Sequence, residues 1–188
     1  MITAVENITL DGVMQAPATV DEDPRGGFTH GGWGVPFVDE VAMRVAAHGM
    51  SAAGAMLLGR RTFEGLRRGW SGRDDNPFSA HLEAARKYVV STTLGDEPGW
   101  GPTTRLDGLD AVGELEEPAL TIIGSGVLVR GLLAAGLIDV LQLSIHPIVL
   151  GSGTRLFGNQ DELVRFALAE STVTTTGVLI ATYRRAMG

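Results

Sequence analysis

The sequence predicts an α/β fold of three layers, with a mostly parallel central sheet and an antiparallel hairpin at its C-terminal end. Two observations predict it. Short apolar segments, such as residues 55–59 and 118–126, alternate with amphipathic segments of helical period, which is typical of a parallel sheet with covering helices. Residues 164–185 contain two β-type runs around a turn near Thr176 and Gly177, which indicates a hairpin.

The 188 residues predict a single domain over 1–188. A first strand, 2–10, ends at the turn pair Asp11-Gly12. Residues 15–35 follow without periodicity and are rich in glycine, proline and acids, so we expect a lid loop there. A helix is predicted over 36–50, because Pro36 is favourable in a first turn and acidic residues complement the positive helix start.

The remaining elements alternate along the chain. The pattern predicts a strand at 55–59 and a helix from 61, a helix at 77–87, a strand at 88–94, a surface helix within 106–117, a strand at 118–126, a helix from 127 that ends at Gly136, and a long strand at 140–151. Pro147 within that last strand predicts an edge, a bend or a bulge.

Composition excludes several classes of function. A net charge of −7 argues against nucleic acid or an anionic membrane as the main partner. The absence of cysteine excludes disulfides and thiolate chemistry, and the four histidines show no metal-ligand spacing, so no metal site is expected. No signal peptide and no apolar run of about 18 residues is present, so we expect a cytoplasmic protein.

Three apolar strands pass into small, hydroxylic or basic residues where they end, at 56–62, 88–93 and 121–126. Ligands of open α/β sheets bind at the carboxyl ends of the strands, and these residue types favour a polyanion. The sequence therefore indicates a phosphorylated nucleotide, with tight turns and solvated arginines as the structural alternative. Neither a G-x-G-x-x-G fingerprint nor a P-loop is present. The candidate residues are Gly59, Arg60, Arg61, Thr62, Ser91, Thr92, Gly124, Ser125 and Gly126.

Nearly the whole chain resembles the dihydrofolate reductase superfamily. Within it, the chain is similar to stand-alone proteins like the C-terminal reductase domain of the bacterial riboflavin-synthesis deaminase/reductase. The resemblance rests on six segments in the same order: 8–14, 31–40, 57–64, 87–94, 122–133 and 136–157.

The resemblance implies an NADPH-dependent reductase of a pterin, a pyrimidine or a related heterocycle. By position, it implies that Arg60 contacts the 2′-phosphate beside Ser91 and Thr92. It places Arg61 and Thr62 at the helix start that faces the pyrophosphate. It likewise implies that Gly124, Ser125 and Gly126 lie beneath the pyrophosphate and nicotinamide, and that the backbone of Asn7 and Ile8 meets the carboxamide.

The substrate side has alternatives. Asp39 resembles the carboxylate that assists protonation in folate reductases, but it lies one residue later, a rotation of about 100° on a helix. Asp39 is therefore either catalytic or a complement to the helix dipole. Phe28 and Trp33 either stack on a flat substrate or anchor the lid. Ser144 either contacts the substrate ring or is a satisfied strand serine.

The lid carries Asp21, Glu22 and Asp23 against the single cation Arg25, which disfavours a phosphorylated substrate. We therefore expect a neutral or cationic heterocycle. The alternatives are a non-catalytic NADP(H)-binding or sensing protein and a 5-amino-6-(5-phosphoribosylamino)uracil reductase. We expect the long apolar segment 136–151 to have a free edge. This edge and the tendency of similar reductases to dimerise predict a homodimer.

Overall fold

The computed structural model describes residues 1–52, 54–73, 77–95, 99–158 and 163–186. The strands are β1 (Ile2–Thr9), β2 (Ala55–Gly59), β3 (Lys87–Val90), β4 (Thr103–Leu106), β5 (Leu120–Ile123), β6 (Val140–His146), β7 (Phe166–Val173) and β8 (Leu179–Arg185). The α-helices are α1 (Glu40–Ala52), α2 (Arg60–Trp70), α3 (Pro77–Ala84), α4 (Asp110–Gly113) and α5 (Gly126–Ala134).

The eight strands form one sheet in the order β4-β3-β2-β5-β1-β6-β8-β7. All pairings from β4 to β6 are parallel, whereas β8 is antiparallel to both β6 and β7. The predicted parallel sheet with a C-terminal antiparallel hairpin is thus confirmed. The carboxyl ends of β1, β2, β3, β5 and β6 lie along one rim, which is where ligands bind in sheets of this kind.

Apolar side chains cover the sheet from both sides and produce three layers. On one face, α5 contributes Leu128, Val129, Leu132 and Leu133 to a core that includes alternate residues of β1 and β5. On the other face, Phe63 of α2 and Leu82 of α3 pack with Met56, Leu58 and Val89. We call these the α5 face and the α2 face.

β4, α4 and the start of α1 differ from the sequence-based expectation. β4 was not predicted, because Thr103–Leu106 contains two exposed polar residues and little apolar character. The helix expected within 106–117 is the single turn α4. The helix expected from Pro36 begins only at Glu40, since Val35–Phe37 forms a 3₁₀ turn and Val38 is extended.

The expectation that residues 136–151 form a free sheet edge is wrong. β6 pairs with β1 on one side and with β8 on the other. Pro147 follows the last residue of β6, so its missing N–H removes no bond from the strand. β7 and β4 are the outer strands of the sheet that the described residues form. The homodimer stays a prediction without support from β6.

Candidate functional site

Two hydrogen bonds join the end of β2 to the turn between β5 and α5. The backbone N–H of Gly59 donates to Ser125 Oγ over 3.0 Å. Thr62 Oγ1 donates to the carbonyl oxygen of Gly124 over 3.2 Å. The structure therefore brings together four of the residues that the sequence predicted for cofactor binding, although they lie more than sixty positions apart in the chain.

The β5–α5 turn depends on glycine at two positions. Gly124 has a φ of +65°, a conformation that residues with a side chain rarely adopt. A Cβ at Gly126 would lie 2.3 Å from Met14 Sδ. Glycine thus lets Met14 pack closely on the first residue of α5. No side chain caps this helix, and backbone N–H groups at an uncapped helix start can bind anions.

Two guanidinium groups lie at the same rim, because α2 begins directly at Arg60. Arg60 Nη1 is 2.9 Å from Glu64 Oε1, and both side chains are more than a third exposed. Exposed pairs of this kind contribute little stability, so the guanidinium group remains available to a ligand. Arg61 is exposed, and its charge is one of the causes that lower the pKa of Asp23 in the loop 15–35.

Ser91 and Thr92 follow β3 next to these residues, since Val90 is the register partner of Gly59. Ser91 Oγ accepts from the N–H groups of Thr93 and Leu94, each over 3.0 Å. The Ser91 hydroxyl therefore organises the turn, while the side chain of Thr92 is exposed.

Glu6 was not singled out by the sequence analysis, yet it lies beneath this turn. It is 2% exposed and shares the α5 face of β1 with Ala4 and Ile8. Burial raises the pKa of Glu6 from 4.5 to about 8, although hydrogen bonds from the backbone of Gly124 and Ser125 act in the opposite direction. Its Oε1 has no hydrogen-bond partner within the described part of the chain. Glu6 therefore carries a proton at neutral pH.

Asn7 and Ile8 point to opposite faces of β1. Ile8 is buried in the α5-face core. Asn7 is exposed although β1 is an interior strand, and its register partner on β6, Ser144, is half-buried. An exposed side chain on an interior strand marks a place where no helix covers the sheet. The structure thus brings Asn7 and Ser144 together on an uncovered part of the sheet, which we call the cleft.

His146 also lies in this cleft and was missed by the sequence analysis. Its Nε2 is 3.1 Å from Asn7 Oδ1, and only 6% of the residue is exposed. The rings of Trp33 and Phe37 contact it edge to face, at centroid distances of 5.0 and 5.4 Å. Burial lowers the pKa of His146, so the imidazole is neutral near pH 7.

The loop 15–35 has a small core of its own. Phe28 and Trp33 are buried with Val13 and Ala16, which favours the anchoring role over stacking on a ligand. Trp33 Nε1 also donates to the carbonyl of Gln15 over 2.7 Å. Phe28 borders a cavity of about 340 Å³ between this loop and residues 152–154.

Two of the three acidic side chains in the loop 15–35 have partners within the loop. Asp23 forms a short charge-assisted hydrogen bond with Arg25, which is the main cause that lowers its pKa. Glu22 Oε2 accepts from the N–H of Ala18 over 2.7 Å. Asp21 is exposed. The loop therefore presents less free negative charge than its composition indicates.

Asp39 caps α1. Its Oδ1 accepts from the N–H of Ala42 over 2.8 Å, and its Oδ2 accepts from the N–H and the hydroxyl of Thr175, each over 2.6 Å. These bonds, that from Ala42 first, lower the pKa of Asp39 to about 2. A carboxylate with this pKa is a poor proton donor near neutrality, so the geometry favours the helix-start alternative.

A family comparison decides the relationship of the chain. The model of the RibD C-terminal domain matches residues 1–180. The chain belongs to the RibD C-terminal domain family. The uncharacterized protein YyaP of Bacillus subtilis (strain 168) is 24% identical to this chain over 136 residues, which cover 68% of this chain and 72% of YyaP.

Several solved structures are similar to the fold of this chain. A putative riboflavin biosynthesis protein from Shewanella sp. PV-4 has a TM-score of 0.68 at 22% identity, covering 99% of both chains. A pyrimidine reductase-like protein from Corynebacterium diphtheriae has a TM-score of 0.67 at 13% identity, and the match covers 100% of this chain and 92% of that one. Enterococcus faecalis dihydrofolate reductase, complexed with NADP(H) and RAB-propyl, has a TM-score of 0.60 at 16% identity. The match covers 98% of this chain and 96% of the reductase. These likenesses establish the expected dihydrofolate-reductase-like architecture.

Two further properties concern the described residues alone. No group of three or more histidine, cysteine or acidic side chains among them is arranged to hold a metal ion. None of their helices has the length and apolar character needed to cross a membrane.

Proposed function

We propose that this protein is an NADPH-dependent reductase that transfers hydride to a pterin, a pyrimidine or a related unsaturated heterocycle. The observation that carries the proposal is the junction of two strand-end turns through Gly59–Ser125 and Thr62–Gly124, with guanidinium groups at the same rim. Backbone N–H groups at helix starts and arginines together favour a dinucleotide diphosphate.

The residues present fit such a cofactor. The uncapped start of α5 and the exposed Arg61 would hold the diphosphate, and Arg60 would bind the 2′-phosphate with Thr92 beside it. The backbone of Asn7 and Ile8 would meet the nicotinamide carboxamide. Bound NADPH supplies the hydride, while the protein orients the two rings and excludes water.

Membership of the RibD C-terminal domain family supports a reductase-type activity. The dihydrofolate reductase with the same architecture is complexed with NADP(H), which supports the choice of cofactor. For the substrate we propose a neutral or cationic heterocycle, because Arg25 is already engaged by Asp23 and adds no free cation to the loop 15–35. A phosphoribosylaminouracil substrate is the less favoured alternative.

A second candidate is a non-catalytic protein that binds or senses NADP(H). The observation that favours it is the engagement of both Asp39 oxygens by α1 and Thr175, which leaves the family's expected proton donor occupied. The two candidates share a cofactor site and differ only in turnover.

Calorimetry and absorbance together test the proposal. We expect NADPH to bind with a measurable heat and more tightly than NADH, and its absorbance to fall steadily when a panel of pterins, dihydropterins and pyrimidines is added. Tight NADPH binding without turnover on this panel would support the sensing protein. No binding of either dinucleotide would refute both candidates.

A further inference from the structure

The cleft is polar and open. β1 and β6 each pair with a strand on both sides, and interior strands of parallel sheets are normally covered on both faces. Asn7 is nevertheless exposed, and its partner Ser144 is half-buried. Val5 and Gln142, the preceding register pair on the same face, are half-buried as well. The exposed amide of Asn7 is therefore accessible to a ligand.

His146 determines which atoms of that amide the cleft presents. A neutral imidazole carries one N–H. If the proton were on Nδ1, a buried donor would have no partner, because Nδ1 finds none among the described residues. With the proton on Nε2, the imidazole donates to Asn7 Oδ1 over 3.1 Å. Buried donors without partners are rare and costly, so the Nε2–H form is favoured.

The packing around His146 holds this form in place. Trp33 and Phe37 contact the imidazole edge to face and leave it 6% exposed. A ring confined in this way cannot turn away from Asn7 without displacing two aromatic side chains. The amide oxygen of Asn7 is thus occupied, and its NH₂ group, with two donors, remains for the cleft.

We propose that the side-chain amide of Asn7, oriented by His146, donates a hydrogen bond to a ring carbonyl oxygen of the heterocyclic substrate. Asn7 is then a substrate-binding residue through its side chain, and His146 is a positioning residue. The identification of the ligand as a heterocyclic substrate rests on the proposed function. The donor character of the site rests on the geometry alone.

A pair of probes tests the donor character. Pterin carries a ring carbonyl, whereas its diamino analogue carries an amino group at that position. We expect the wild-type protein to bind pterin more tightly than the diamino analogue. Asn7→Asp replaces the donors by an acceptor of equal size, and we expect it to weaken pterin binding by about tenfold to a hundredfold and to reverse the preference.

Gln142→Glu is the matched control. It makes the same amide-to-acid change on the face of the sheet that carries Asn7, four residues before His146 along β6. We expect it to leave the ratio of the two affinities unchanged. The proposal is overturned if Asn7→Asp leaves that ratio unchanged, if Gln142→Glu shifts it equally, or if the wild type binds neither probe.

The positioning role of His146 has an independent readout. Nitrogen NMR of the wild-type imidazole should find the proton on Nε2, and a proton on Nδ1 would overturn the proposal. His146→Phe removes the donor, so the Asn7 amide can rotate and the preference for pterin should shrink at least tenfold. His146→Gln keeps an N–H donor and should therefore retain part of the preference for pterin. Circular dichroism and the thermal midpoint check that both variants fold.

The outcomes separate this inference from the proposed function. If NADPH binds and is consumed while Asn7→Asp does not change the probe preference, the inference fails and the reductase assignment stands. If NADPH does not bind while the probe preference reverses, the reductase assignment fails and Asn7 remains a donor site for heterocycles.

Discussion

The N–H of Gly59 donates to the hydroxyl of Ser125 over 3.0 Å, and this bond fixes two strand ends relative to each other. Ser125 Oγ also donates to the carbonyl of Ile123 over 3.3 Å, so its hydroxyl is used in both directions. The residue is 6% exposed. A small hydroxyl at this point lets α2 and α5 begin at one rim, where a single diphosphate could contact both.

Ser125→Ala should therefore weaken both folding and cofactor binding. It leaves the N–H of Gly59 without its partner, which typically costs about 1–3 kcal/mol of unfolding free energy. We expect denaturant titration to show this loss and calorimetry to show NADPH binding weakened severalfold. Ser171→Ala on the exposed strand β7 is the control. A Ser125 variant as stable as this control would contradict the role of the bond.

Arg60→Gln should abolish the preference of the protein for NADPH over NADH. If Arg60 binds the 2′-phosphate, its removal should weaken NADPH by about tenfold to a hundredfold and leave NADH within twofold. The salt dependence of NADPH binding should fall as well. Arg68→Gln, in the last turn of the same helix, removes an equal charge away from the rim and should change neither affinity. Equal losses for both dinucleotides would place Arg60 elsewhere on the cofactor.

Asp39→Ala should lower stability and leave turnover nearly intact. The change removes the acceptor for the N–H of Ala42 and both bonds from Thr175, so the thermal midpoint should fall by roughly 4 °C. Asp39→Asn retains a good capping group, so its thermal midpoint should fall less than that of Asp39→Ala. If either variant lost NADPH turnover a hundredfold while its midpoint stayed unchanged, Asp39 would be the proton donor after all.

Glu6 should make stability fall as the pH rises. Its pKa is about 8 in the folded protein against an ordinary value of 4.5, so the folded state binds more protons than the unfolded state between these values. The unfolding free energy is therefore unaffected by Glu6 below pH 4.5 and decreases through pH 8. The full difference corresponds to up to about 5 kcal/mol.

Glu6→Gln tests this dependence, because glutamine retains the shape and cannot ionise. Urea titrations at several pH values should show wild type and variant diverging as the pH rises, with the variant more stable at pH 8 and above. The exposed Glu114→Gln should follow the wild type at every pH. Parallel curves for wild type and Glu6→Gln would mean that the Glu6 carboxyl is hydrated or paired.

Part of this site could be predicted without coordinates. Two strand ends can be recognised from residue type and order alone, because the pattern is local. In each, an apolar strand is followed by small, hydroxylic or basic residues: Gly59-Arg60-Arg61-Thr62 and Gly124-Ser125-Gly126. Parallel strands then place both passages at one rim. Glu6 also left a signal, since it interrupts the otherwise apolar series of Ile2, Ala4 and Ile8 at a spacing of two.

Only the tertiary structure decided which faces are covered and which distant residues meet. Asn7 and His146 are 139 residues apart, and Asp39 and Thr175 are 136 apart. The alternation along β1 places Glu6 and Asn7 on opposite faces of the sheet. It does not indicate that the face of Glu6 is covered by α5 and that Asn7 on the other face is exposed. Periodicity is a property of neighbours in the chain, whereas burial, and with it pKa and accessibility, depends on the packing of elements that are distant in sequence.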